Sequence, residues 1–158
     1  GEVRTRNQLL KEMDSIFDKN KPINVYVIGA TNKPWVLDDP FIRRFQKRVF
    51  VPLPDFDARL EMLKIYAQNL KPVPDINFEE LAKATEGYSG SDIRDIFQSV
   101  QIRVAREFFE ANNPDDIQAK PRIMTMQDFH MSVEERRPSV SPDTLTHYEK
   151  WFEAFKAL

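Results

Sequence analysis

The segment INVYVIGATN, residues 23–32, constrains the fold more than any other part of the sequence. Residues 23–31 are almost all apolar and are rich in β-branched and aromatic side chains. A strand of this kind is usually buried on both faces, as in a parallel sheet covered by helices. A second, shorter strand is predicted at Arg48–Val51. The pattern therefore predicts an α/β fold with a parallel sheet.

From Pro54 onwards, helical patterns replace the strand patterns. Each of these predicted helices begins at a residue whose side chain can cap it, and Asn77 with Glu80 forms a capping box. The caps are Asp55, Asn77 with Glu80, Ser89 with Asp92, Thr125, and Ser141 followed by Pro142. An additional helix is predicted before the sheet, over Arg4–Phe17. The predicted order is a helix with two strands, followed by a helical bundle, with the boundary near Pro54.

Composition excludes several classes of protein. The 158 residues carry a net charge of −2, which argues against non-specific nucleic-acid binding. The chain has no cysteine, so disulfides and cysteine-ligated zinc are excluded. No apolar run approaches the ~20 residues that span a bilayer. The sequence starts without Met inside an amphipathic pattern, so we expect the chain to begin within a larger domain.

Asn32 follows the first predicted strand directly. Ligands of open parallel sheets bind beyond the carboxyl ends of the strands, so this amide is placed to orient a water or a phosphate oxygen. The alternative is an ordinary turn asparagine at the end of a strand.

Arg43 and Arg44 stand side by side shortly before the second predicted strand. Arginine keeps its charge in any setting, and its planar fork suits phosphate and carboxylate oxygens. Lys47 and Arg48 add positive charge close by. The pair indicates an anion site, and the alternative is a set of solvated surface charges.

The segment GYSGSD, residues 87–92, is a turn that runs into the start of a helix. Free backbone N–H groups and the helix dipole favour anions or polar ligand atoms there. The alternative is a C-cap glycine followed by an N-cap serine. His130 and His147 are isolated in the sequence, which favours structural or solvated roles and offers no metal site.

In this order, the motifs resemble the second half of an AAA ATPase module of the meiotic clade. They are IGATNKPWVLD, IRRFQKRVFVPLPD, ATEGYSGSDI and RPSVSPDTLTHYEKWFEAF. The clade includes katanin, spastin and the vacuolar-sorting ATPase that disassembles ESCRT filaments. The short connection NNPDDIQAKP resembles the archaeal cell-division member or a katanin-like severing enzyme.

The resemblance implies three parts in the chain. Residues 1–53 are the C-terminal part of the large α/β subdomain of a P-loop-type ATPase. Residues 54–140 are the small helical subdomain, and residues 141–158 form a C-terminal helix.

The resemblance also implies roles for seven residues. Asn32 matches the sensor that contacts the attacking water and the terminal phosphate. Arg43 and Arg44 match arginine fingers that act on the ATP of a neighbouring protomer, so we expect them to need no partner in their own chain. The residues implied on the base side of the nucleotide are Gly90, Ser91, Met62 and Tyr66.

The implied protein is a cytoplasmic, hexameric, ring-forming ATPase that uses ATP and Mg²⁺ and is recruited to membrane-associated filaments. Its implied substrate is an ESCRT-type filament, with membrane contact only indirect and no nucleic acid. No phosphate-binding loop or acidic metal-binding strand occurs in these residues, so we expect this chain alone to be inactive. The alternatives are a katanin-like severing ATPase and a non-catalytic helical adaptor.

Overall fold

The computed structural model describes residues 2–16, 24–111 and 119–156. The described residues form seven α-helices and one 3₁₀ helix, Pro34–Val36. The α-helices are α1 (Glu2–Ile16), α2 (Asp39–Arg44), α3 (Phe56–Gln68), α4 (Phe78–Ala84), α5 (Gly90–Ala111), α6 (Met126–Glu135) and α7 (Pro142–Phe155). The chain divides into two compact units, residues 1–50 with 146–158 and residues 51–145. The predicted boundaries of the three parts stay predictions.

The second unit is a helical bundle built around α5. The apolar stripe of this helix is buried as its spacing predicted, with Ile93, Ile96 and Val100 fully inaccessible. Phe97 meets Phe129 of α6 edge to face, with ring centroids 4.9 Å apart. Burial of this stripe is the main stabilising contribution to the unit, because apolar area removed from water is the dominant favourable term in folding.

The predicted caps of the bundle are confirmed at Asp55 and Asn77. Asp55 accepts the backbone N–H of Ala58 at 2.8 Å. Asn77 accepts the backbone N–H of Glu80 at 3.2 Å. The second half of that predicted capping box is wrong, because the Glu80 carboxylate lies 2.9 Å from His130 Nε2 on α6. His130 therefore has a structural contact, in line with its expected role.

A charged network fixes the start of α6. Arg122 donates to both oxygens of Asp128, at 2.7 and 2.8 Å, and to Glu107 on α5 at 2.7 Å. Asp128 also accepts the backbone N–H of Thr125, which closes the capping box of α6. The hydrogen bonds from Arg122 hold the pKa of the nearly buried Asp128 carboxyl well below its usual range.

This network predicts a specific loss of stability in acid. A carboxyl whose folded-state pKa is depressed contributes stability above its unfolded pKa of about 3.9, and loses it as pH falls further. We expect Asp128→Asn to lower the free energy of unfolding by about 1–3 kcal/mol at pH 7. Its stability should also fall less steeply below pH ~4 than that of the native protein. Urea denaturation between pH 3 and 7 measures both effects.

The matched control is Asp57→Asn. Asp57 is exposed in the first turn of α3, and its carboxylate has no ion pair or side-chain hydrogen bond within the described ranges. We expect this substitution to leave the fall in the free energy of unfolding below pH ~4 unchanged. Equal effects of the two substitutions would contradict the assignment.

The first unit contains α1, the 3₁₀ helix, α2 and the larger part of α7. Met13 of α1 and Ile42 of α2 are buried apolar residues of this unit. Arg6 of α1 forms a 2.8 Å ion pair with Asp38, which also caps α2 by accepting the backbone N–H of Phe41. These contacts fix α2 on α1.

The two predicted strands are not formed in the part of the chain that the structure describes. Residues 24–31 and 48–51 form no strand, and the one β-bridge among the described residues joins Asp75 to Thr125. Apolar residues of these segments are exposed, with Tyr26 at 91% and Ile28 at 92%. A strand needs neighbouring strands to pair with its N–H and C=O groups, and none of the described residues forms one beside these segments. The predicted parallel sheet is therefore not confirmed for these residues.

The end of the first predicted helix and its following turn, residues 17–23, lie outside the described residues. None of the helices that the structure describes is long and apolar enough to cross a membrane.

Candidate functional site

Asn32 lies at a bend between residues 24–31 and the 3₁₀ helix. The backbone N–H of Lys33 donates to the Thr31 hydroxyl at 3.0 Å, and Pro34 starts the 3₁₀ helix. The Tyr148 hydroxyl of α7 donates to the Asn32 carbonyl. The Asn32 amide is exposed and has no hydrogen-bond partner among the described residues. Its backbone is thus held while its side chain is free for a ligand.

Arg44 has a partner within its own chain, so that part of the expectation for the arginine pair is wrong. Its guanidinium forms a fork with Asp14 of α1, through bonds of 2.9 and 2.8 Å, and donates to the Pro40 carbonyl at 3.0 Å. The hydrogen bond raises the pKa of Arg44 and lowers the pKa of Asp14. Asp14 is about half exposed, so the pair orients the helix more than it stabilises it.

Arg43 differs from Arg44 in its surroundings. It is exposed on α2 and has no ion pair or hydrogen bond within the described ranges. Successive helix residues point about 100° apart, so the contact of Arg44 with α1 leaves its neighbour directed elsewhere. Arg43 is the arginine of the pair that is available to an outside anion.

Arg48 also has hydrogen-bond partners within its own chain. It donates to the Ile42 carbonyl at 2.9 Å and to the Phe155 carbonyl at the end of α7. These bonds tie the residues after α2 to α7 within the first unit. Lys47 is exposed.

Gly90 and Met62 lie together in the second unit. A Cβ atom placed on Gly90 would meet the Met62 sulfur and methyl group at 3.7 Å, an ordinary contact distance. The packing of this unit therefore does not itself require glycine at position 90. The lack of a side chain leaves the backbone at the start of α5 open, next to a half-buried thioether.

Ser91 and Tyr66 are placed differently. Ser91 is exposed in the first turn of α5, and its hydroxyl lies 2.9 Å from the Ser89 hydroxyl. Tyr66 is half-buried and its ring packs on Phe97, with centroids 5.7 Å apart. The structure thus brings Met62 next to Gly90, while Tyr66 contributes to the bundle core.

Asp92 holds the turn before α5 in place. Its nearly buried carboxylate accepts from the backbone N–H and hydroxyl of Ser89, at 2.8 and 2.7 Å. It also accepts from the N–H and hydroxyl of Ser139, at 3.2 and 2.9 Å. Burial would raise the pKa of Asp92, but these hydrogen bonds outweigh burial and hold the pKa below its usual value. Gly87, at φ +79°, supplies the left-handed residue that the turn requires.

Three residues that hold the site were missed from sequence alone: Asp14, Ser139 and Tyr148. Each acts through a contact between residues distant in the sequence, such as the 30 residues between Asp14 and Arg44.

Metal ligands are not evident in the described part of this chain. No group of three or more His, Asp or Glu residues that could hold a metal ion occurs in residues 2–16, 24–111 and 119–156. His147 stacks on Trp35, with centroids 4.2 Å apart, which is a packing contact.

Three sequence models of protein families match the chain in order. Residues 1–53 match the ATPase family associated with various cellular activities (AAA), and residues 75–119 match the AAA+ lid domain. Residues 111–155 match the Vps4 C terminal oligomerisation domain. The chain therefore belongs to the AAA ATPase family, which confirms the resemblance found in its motifs.

Within that family, the chain is 50% identical to Cell division protein C of Sulfolobus acidocaldarius, over 100% of this chain and 41% of that protein. It is 32% identical to meiotic spindle formation protein mei-1 of Caenorhabditis elegans, over 98% of this chain and 34% of that protein. It is 34% identical to a katanin p60 ATPase-containing protein of Homo sapiens, over 96% of this chain and 33% of that protein. The chain thus spans well under half the length of these relatives.

Solved structures agree with this assignment. The FIGL-1 AAA domain in complex with ADP superposes with a TM-score of 0.81 at 29% identity, covering 99% of this chain and 53% of that one. A structure described as the basis for katanin self-assembly gives a TM-score of 0.69 at 33% identity, covering 82% and 47%. The chain has the fold of the corresponding part of an AAA ATPase domain.

Proposed function

We propose that this chain is part of a ring-forming ATPase that hydrolyses ATP to disassemble or remodel ESCRT-type filaments during cell division. The ring would be a hexamer of identical protomers. It would act in the cytoplasm and reach membranes through the filaments on which it works.

One observation carries this proposal. The identity to Cell division protein C is 50% over the whole chain, against 32% to mei-1 and 34% to the human katanin-type protein. The match of residues 111–155 to the Vps4 C terminal oligomerisation domain supports an assembled protein. Filament severing of the katanin type is the second candidate, because those relatives also match nearly the whole chain.

The chain would supply two kinds of contact to ATP. Asn32 presents an unpartnered, exposed amide that can orient a water against the terminal phosphate. The open backbone at Gly90, together with Ser91, would receive the base and ribose, and the Met62 thioether would pack on the base. Tyr66 would support that surface from the core.

The phosphate chain and its Mg²⁺ would be held mainly by residues beyond this chain. Mg²⁺, when bound, neutralises charge that develops on the phosphoryl oxygens during transfer. From this chain, Arg43 would stabilise that developing charge, acting on the ATP of the neighbouring protomer. Arg44 would hold α2 on α1 through Asp14, so that Arg43 is presented at the boundary between protomers.

Phosphate release tests the enzymatic part of the proposal. We expect the full-length protein to hydrolyse ATP and the 158-residue chain alone to release no phosphate above background, since it has no glycine-rich phosphate loop. Turnover by the purified chain that persists through further purification would contradict this expectation.

Filament assays test the substrate. Full-length protein with ATP should shorten pre-formed ESCRT-type filaments in sedimentation and negative-stain images, and should leave microtubules intact. ADP in place of ATP is the control. Severing of microtubules without effect on ESCRT-type filaments would favour the second candidate.

A further inference from the structure

Helix α7 is attached to the turn that carries Asn32. The Tyr148 hydroxyl donates to the Asn32 carbonyl, and the Tyr148 ring lies 5.0 Å from the ring of Trp35, three residues after Asn32. The preceding helix residue, His147, stacks on Trp35 with an interplanar angle of 14°. Two consecutive residues of α7 therefore hold this segment. Tyr148 binds the backbone carbonyl of Asn32, and His147 stacks on the ring of Trp35.

The position of Tyr148 is itself fixed by aromatic packing. The centroid of its ring lies 6.2 Å from the centroid of the Phe50 ring. The ring of Phe152, one helical turn later in α7, also packs on Phe50, with centroids 5.8 Å apart. The tyrosine ring is thus held independently of its hydroxyl. Removing the hydroxyl alone should leave the helix in place.

We propose that Tyr148 is a positioning residue that fixes the orientation of Asn32 for ATP hydrolysis. This inference rests on the proposed function. The hydrogen bond to the Asn32 carbonyl fixes the orientation of the peptide bond that follows Asn32. The Asn32 side chain then starts from a fixed backbone position. Without the hydroxyl donor, the carbonyl of this exposed residue is left to water, and the peptide is free to rotate. Displacements of about 1 Å at a catalytic group can cost ~10²-fold in rate.

The test is Tyr148→Phe in the full-length protein. We expect kcat to fall about tenfold, with the Kd for ATP within about twofold of the native value, because a positioning group acts in the transition state. Incorporation of p-aminophenylalanine at position 148 restores a donor at the same place and should recover most of the lost kcat.

A double-mutant cycle with Asn32→Ala separates positioning from general structure. If Tyr148 acts through the Asn32 amide, Tyr148→Phe should lower kcat by less than about twofold once that amide is removed. The packing control is Phe152→Leu, which loosens the same helix without touching the hydroxyl. We expect it to lower the melting temperature and to have the same small effect on kcat in both backgrounds.

The outcomes are distinguishable. If Asn32→Ala itself leaves hydrolysis unchanged, the proposed sensor role fails, and this inference fails with it. If Asn32→Ala slows hydrolysis but Tyr148→Phe has normal kcat, or its full effect persists without the amide, only the positioning role is overturned. Loss of assembly in Tyr148→Phe would also overturn it, because the hydroxyl would then act on the association of protomers.

Discussion

Replacing Arg43 with alanine is expected to lower ATP turnover of the assembled full-length protein by about 10³-fold or more, the range of an arginine finger. The guanidinium of Arg43 is exposed and without a partner in the described part of its own chain, so it is accessible to an anion from outside. Each protomer should still bind ATP with normal affinity, since the finger acts on a neighbour's nucleotide. Steady-state phosphate release and nucleotide titration measure the two quantities separately.

Arg44 provides the matched comparison. Its fork is occupied by Asp14, so Arg44→Ala should disturb the seating of α2 and reduce turnover about tenfold, far less than loss of a finger. Asp14→Ala should have a similar effect, and the double variant should be little worse than either. Arg43→Lys should rescue poorly, because an ammonium lacks the bidentate fork. Equal losses for Arg43→Ala and Arg44→Ala would contradict this division of roles.

Mixing of protomers tests whether Arg43 acts in trans. Rings of Arg43→Ala protomers lack the finger, and rings of Asn32→Ala protomers lack the sensor. In an equal mixture, about a quarter of head-to-tail interfaces would pair an intact Asn32 with a neighbour's intact Arg43. Activity should therefore reappear on mixing. If the two proteins co-assemble without recovery at any ratio, the trans role of Arg43 is wrong.

Local signals in the sequence predicted the second unit well. The caps Asp55, Asn77 and Thr125 act within three residues of themselves, so their pattern is sufficient to place each helix start. The buried stripe of α5 follows from its helical period in the same way. Gly90 was placed at a helix start for the same local reason.

Long-range contacts were beyond the reach of such signals. The expectation that both arginines lack partners failed because Asp14 lies on another helix, and nothing in the spacing links the two. The role of Tyr148 toward Asn32 spans 116 positions. The predicted strands are not confirmed for a related reason: segment 24–31 has strand-like residues, but a ladder depends on other strands and not on its own composition.

Replacing Asn32 with alanine is expected to slow hydrolysis by about 10²–10³-fold, the usual cost of removing one preorganised polar group that acts on the transition state. The Kd for ATP should change little, because an amide that orients the attacking water contributes weakly to the ground state. The backbone of the turn should be unaffected, because Tyr148 donates its hydrogen bond to the Asn32 backbone carbonyl and not to the Asn32 side chain.

Two further variants make this result specific to the amide. Asn32→Asp keeps the shape but places a negative charge near the phosphate, so it should weaken ATP binding as well as slow turnover. Asn24→Ala removes another exposed amide, eight residues before Asn32, which has no side-chain partner within the described ranges. It should leave both quantities unchanged. If Asn32→Ala instead loses ATP binding while the bound fraction turns over normally, Asn32 is a structural residue of the turn, and the sensor assignment is wrong.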